Sequence, residues 1–184
     1  MLIFYSFFVI LSRFSMADSQ VKTLIPDYLR KEILVIGCGN VLFGDDGFGY
    51  EVIKRLEGMD LPDNVGVIDA GTGSAYYIIS LLDEESSVKK LIVVDTIDFN
   101  LPPGTLKKLG VEDLPRIEKY NFDAHDVPLA PYLIDAYKRG IEVVIIGCQG
   151  KEISCPDIKV GLSKEVEGSV EKAVEMVLEE IKRR

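Results

Sequence analysis

Three segments of the chain are almost continuously apolar: EILVIG (32–37), KLIVVDT (90–96) and EVVIIG (142–147). Runs this short, rich in valine and isoleucine, read as strands. Their lack of alternation points to burial on both faces, as in a parallel sheet. VGVIDA (65–70) adds another strand, and the more polar GTLKKLG (104–110) reads as one lying at an edge. Between the strands the apolar positions switch to helical spacing. YEVIKRL follows the first strand, and SAYYIISLLDE (74–84) follows the second. PLAPYLIDAYKRG sets Leu129, Tyr132, Leu133, Ala136 and Tyr137 on one face; its helix is expected to start at Asp126 or Val127 and to stop at Gly140. Pro128 fits within the first turn of that helix. A last helix, with Ser163 as N-cap, carries Val166, Val170, Ala173, Val174, Val177, Leu178 and Ile181 along one stripe. Both stripes read as core packing. The alternation predicts a three-layer α/β sandwich: a mainly parallel twisted sheet of about five strands with helices on both faces. It does not give the strand order.

At 184 residues the chain reads as a single domain, spanning residues 31–184. A net charge of −9 argues against a nucleic-acid partner and against an anionic membrane surface. Cys38, Cys148 and Cys155 are too few and too scattered for a disulfide framework, and no C-x-x-C pair suggests zinc. A reducing cytoplasm is the natural setting. The opening run MLIFYSFFVILS is too short to span a bilayer, which takes about 20 residues. It lacks the basic start of a secretory signal, and Arg13 follows it instead of preceding it. Residues 1–15 are therefore read as a dispensable extension ahead of Met16, with a membrane anchor as the alternative.

The chemistry concentrates in ILVIGCGNVLFGDDGFG (33–49), a strand emptying into a glycine-rich turn. A dinucleotide fingerprint would need glycine where Leu42 stands. A phosphate-binding P-loop would need lysine and serine or threonine where Asp45 and Asp46 stand. At an effective dielectric near 20, a unit charge about 4 Å from a phosphate is worth roughly 4 kcal/mol, so exchanging a cation for carboxylates excludes a phosphate here. No nucleotide or flavin is expected. Asp46 could simply cap the helix that follows, a contribution of about 1 kcal/mol. It could instead bind a cation, since ligands of open α/β sheets sit at the carboxyl ends of the strands.

Asp95 ends the third apolar run, and reads either as a strand-end turn residue or as a second carboxylate for the same cation. His125, the only histidine, lies just before the PLAPYLIDAYKRG helix. A helix N-terminus disfavours imidazolium, and neutral imidazole is the metal-binding form. A structural histidine is the competing reading. One imidazole with two carboxylates suits nickel or zinc better than calcium. Asp45 and Asp98 are further acids with a weaker claim. No serine or cysteine stands in a nucleophile motif.

GCGNVLFGDDGFG, DAGTG (69–73), VVDTID (93–98) and AHDVPL (124–129) together resemble the hydrogenase maturation proteases, over about residues 31–180. Among these, the first and last motifs are most similar to members serving the deazaflavin-reducing hydrogenases of methanogenic archaea. The resemblance implies an α/β sheet sandwiched by helices. It also implies an endopeptidase that removes the C-terminal tail of a NiFe hydrogenase large subunit after nickel insertion. The family's metal-binding and catalytic trio falls on Asp46, Asp95 and His125. Many members carry glutamate at the first of these, one methylene longer. The DAGTG loop would line the substrate cleft, and the nickel would be borne by the substrate. Two other classes stay open: a nickel chaperone, and a small-molecule-binding module of flavodoxin-like shape. A chain begun at Met16 is expected to stay soluble and keep its activity, which purification, circular dichroism and an activity assay would check.

Overall fold

The computed structural model describes residues 25–114 and 129–183. The apolar opening run and His125 lie outside the described residues. Among those residues, the strands are β1 (Ile33–Cys38), β2 (Val65–Gly71), β3 (Lys90–Thr96), β4 (Leu106–Leu109) and β5 (Glu142–Cys148). They form one five-stranded sheet in the order β2-β1-β3-β5-β4. The pairs β1–β2, β1–β3 and β3–β5 are parallel. Only β4 runs antiparallel, along β5 at the edge, where its polar composition leaves it partly exposed.

The helices are α1 (Phe48–Glu57), α2 (Ser74–Ser80), α3 (Ala130–Lys138), the single turn α4 (Lys164–Glu167) and α5 (Val170–Lys182). Because side chains alternate along a strand, each strand feeds both faces of the sheet. Leu34, Ile36, Leu91, Val93 and Ile145 pack with Ile78 of α2 and Leu133 and Ala136 of α3. Val35, Ile92, Val94, Val144 and Ile146 pack on the other face with Phe48, Val52 and Leu56 of α1 and Val170, Val174 and Val177 of α5. The central strands are thus buried on both sides, which is why they read as unbroken apolar runs. No helix among the described residues is long and apolar enough to cross a membrane.

The helix boundaries differ from expectation in three places. The helix expected through residue 84 ends at Ser80, whose hydroxyl turns back to the Tyr77 carbonyl at 2.6 Å. Among the described residues α3 begins at Ala130, so Pro131 supplies the proline of the first turn. Tyr137, placed by spacing on the apolar stripe, is exposed. The final helix is broken at Gly168 and Ser169. There the Ser169 hydroxyl donates to the Val166 carbonyl at 2.6 Å, a local bond that competes with helix continuation.

Helix α1 lies directly against β1 and β3 because Gly49 has no side chain. A β-carbon there would run into the Cys38 carbonyl oxygen and lie 2.8 Å from that of Val94. Gly49→Ala is therefore expected to lift α1 off the sheet and cost about 1–3 kcal/mol, as overpacking does. Gly58→Ala, whose β-carbon would meet only the Arg55 carbonyl at 3.5 Å, should stay within about 0.5 kcal/mol. Urea unfolding of the two variants checks the contrast.

Candidate active site

The turn after β1 is built around Gly39, which holds φ +112° and whose β-carbon would strike the Asp46 carbonyl. Only glycine fits a backbone so placed. The chain then folds on itself through Asn40, whose side-chain oxygen accepts from the Leu42 amide at 3.0 Å. A short 3-10 turn, Asp45–Gly47, leads into α1. Asp46 is buried, and its carboxylate accepts from the Asn40 amide at 2.7 Å. This bond closes the glycine-rich turn; neither the 3-10 turn nor α1 has a side-chain N-cap.

Asp45 is no spare acid. Its side chain is fully buried 0% exposed, and both oxygens are engaged by a distant stretch of chain. Oδ2 accepts from the amides of Lys151 at 2.8 Å and Glu152 at 2.9 Å, and from the Ser163 hydroxyl at 3.0 Å. Oδ1 accepts from the Ser163 amide at 2.6 Å. Ser163, expected as an N-cap, therefore has its hydroxyl directed to Asp45, and makes no side-chain cap bond to the turn after it. Two backbone bridges, Phe43 with Lys159 and Gly44 with Ile153, fasten the same stretch alongside the turn. Asp98 is exposed, and its Oδ1 accepts from the Asn100 amide at 2.9 Å and from Gln149 Nε2 at 3.2 Å. It shapes the loop after β3.

Asp95 is buried at the end of β3, and its Oδ1 accepts from the Thr96 amide at 2.7 Å. Strands β1 and β3 are adjacent in the sheet, yet the chain passes from β1 to β2 on the opposite side before reaching β3. This is a topological switch point, where open α/β sheets hold their ligands. Cys38 sits there, at the end of β1. Burial pushes its thiol well above the ordinary range, and the negative charges of Asp95, Asp46 and Asp69 push it further; a hydrogen bond with Ser74 opposes them. The three carboxylates come from the turn after β1 and from the ends of β2 and β3. Asp69 was not singled out in the sequence, although it opens the DAGTG loop at a strand end, as Asp95 does. Cys148 is likewise raised by burial, to about 11, against a hydrogen bond from Ser169 and with help from Asp45. Both buried thiols are therefore held in the protonated form near neutral pH.

The metal trio is only partly on view. Asp46 and Asp95 lie at the same end of the sheet, linked through Thr96, while His125 lies outside the described residues. Among the described residues no three histidine, cysteine or acidic side chains form a ready metal cage.

The family model for hydrogenase maturation proteases matches residues 50–180. The chain belongs to that family. It is 63% identical, over 84% of its length and 99% of the relative's, to a hydrogenase maturation protease candidate of Methanocaldococcus jannaschii. It is 47% identical, over 82% of its length and 94% of the relative's, to the coenzyme F420 hydrogenase subunit delta of Methanothermobacter thermautotrophicus. Its fold is similar to that of the hydrogenase maturating endopeptidase HybD from E. coli, with a TM-score of 0.65 and 26% identity over 82% of this chain and 92% of that one. The α/β sandwich expected from the sequence is the fold of this hydrolase family.

Members of the family cleave peptide bonds, and the two buried thiols should be bystanders to that chemistry. Cys155 is exposed, whereas Cys38 and Cys148 are buried. Titration of the native protein with a thiol reagent should therefore show one fast-reacting group, rising to three in denaturant. Rapid reaction of Cys38 in the native state would contradict its placement.

Proposed function

We propose that this endopeptidase removes the C-terminal tail of a NiFe hydrogenase large subunit once nickel is in place, using Asp46, Asp95 and His125 to meet the nickel that the substrate carries. The observation that carries the reading is the link between Asp46 and Asp95 at the switch point between β1 and β3: the Thr96 amide donates to the Asp95 carboxylate, and the Thr96 hydroxyl donates to the carbonyl of the peptide group joining Asp45 to Asp46. Two carboxylates at one sheet edge offer the oxygen ligands that a cation brought by the substrate would need. His125 joins the trio through the AHDVPL motif that carries it. The segment that carries it joins Leu114 to Leu129, and both are buried on the sheet face that takes Leu91 and Val93. By alternation, Asp95 projects to that face too.

The proposed cleavage is aspartic in type. Water adds to the scissile carbonyl carbon, one aspartate takes the proton, and that proton passes to the departing amine. Nickel on the substrate serves as the recognition element and can polarise the carbonyl. Chain length, buried free thiols and the acidic surface charge support a cytoplasmic enzyme that acts on a protein partner, with neither nucleic acid nor membrane involved.

The deciding measurement is the mass of the large subunit's C-terminus with and without this protein. Asp46→Asn, Asp95→Asn and His125→Ala should each slow tail removal about 100-fold or more, the range lost with an acid–base group. Circular dichroism should show each variant folded. Wild-type cleavage by His125→Ala would defeat the trio, and nickel binding without cleavage would favour a chaperone.

Metal removal gives a second test. Dialysing the protease against a chelator before mixing should leave activity unchanged, because the nickel arrives on the substrate. A full equivalent of tightly held zinc in the purified protein would count against this.

A further inference from the structure

We propose that Asp45 is a positioning residue, which fixes the spacing between Asp46 and Asp95 without touching the substrate. The inference rests on the reading that those two carboxylates do the work. Thr96 is the link. Its amide donates to the Asp95 carboxylate at 2.7 Å, and its hydroxyl donates to the Asp45 carbonyl at 2.6 Å. That carbonyl belongs to the peptide group joining Asp45 to Asp46. A continuous path therefore runs from one carboxylate, through Thr96 and the Asp45 peptide, to the other.

The Asp45 side chain holds this path in register. It is fully buried, and both its oxygens are taken up by the chain itself. Its two oxygens meet four donors, from Lys151, Glu152 and both the amide and hydroxyl of Ser163. A carboxylate accepts at both oxygens; an amide does so at only one. In Asp45→Asn, either orientation of the new amide turns its NH2 group toward at least one donor. The turn must then relax, and Asp46 moves relative to Asp95. Displacing a reacting group by about 1 Å is enough to cost on the order of 100-fold in rate.

The test uses the full chain and a nickel-loaded large subunit, with Asp45→Asn, Thr96→Val and Thr96→Ser. Asp45→Asn and Thr96→Val should lower kcat at least tenfold per folded molecule while KM stays within twofold. Thr96→Ser keeps the hydroxyl and should restore kcat to near the wild-type value. Should Asp45→Asn fail to fold, Thr96→Val decides, since it is nearly isosteric and leaves the buried carboxylate in place. Wild-type kcat in Thr96→Val, or a loss that only follows the folded fraction, overturns the positioning role. Asp46→Asn, run alongside, leaves the Asp45 contacts intact. Loss of cleavage there with none in Thr96→Val overturns positioning alone. Wild-type cleavage by Asp46→Asn overturns the assignment of the carboxylates, and the positioning role with it.

Discussion

The rest of the site depends on one buried carboxylate. Taking Asp45 out of water unaccompanied would cost several kcal/mol. Four donors offset that cost, three backbone amides and one hydroxyl, all from one stretch of chain, residues 151–163. The arrangement works in both directions. The stretch could not lie along the glycine-rich turn without a partner for its amides, and the turn could not keep a buried acid without the stretch. The geometry of Asp46 follows from this closure, because Asp46 is the next residue and itself bonds back to Asn40.

Around that fixed turn the sheet supplies the remaining charge. Parallel strands end on the same side, so β1, β2 and β3 deliver Asp46, Asp69 and Asp95 to a common edge. A site so acidic, opening where the strand order reverses, suits a substrate that carries its own positive centre. Burial first, and then these charges, keep the neighbouring Cys38 thiol protonated.

Much of this was legible in the sequence, for physical reasons that differ from one element to the next. The strands β1, β3 and β5 could be read because burial on both faces leaves no polar position to confuse the pattern. The exposed residues of β4 marked it as an edge. Asp95 stood out as an acid directly after an apolar run and Asp46 as a carboxylate where a phosphate-binding turn would carry none, while Asp69 lay at a strand end in a stretch read only for its glycines. The role of Asp45 could not be read. Its partners lie 106 to 118 residues downstream, and most are main-chain amides, which leave no trace in side-chain identity. Ser163 does stand at the N-cap position of α4, but the partner of its hydroxyl was hidden for a related reason. Local spacing made it a helix cap, while its tertiary contact with Asp45 took the hydroxyl elsewhere. The break at Gly168 and Ser169 was written in the residues, but a stripe of apolar positions continues through it and hides it.

The distance between Asp45 and Ser163 also sets an order of events during synthesis. A growing chain makes the glycine-rich turn early and the segment that closes it 118 residues later. At about 5–20 residues per second, that interval is on the order of ten seconds. Through it, the chain already contains Asp46, Asp69 and Asp95 but not the stretch that holds their turn in shape. The turn that carries Asp46 therefore closes only after all five strands of the sheet have been made.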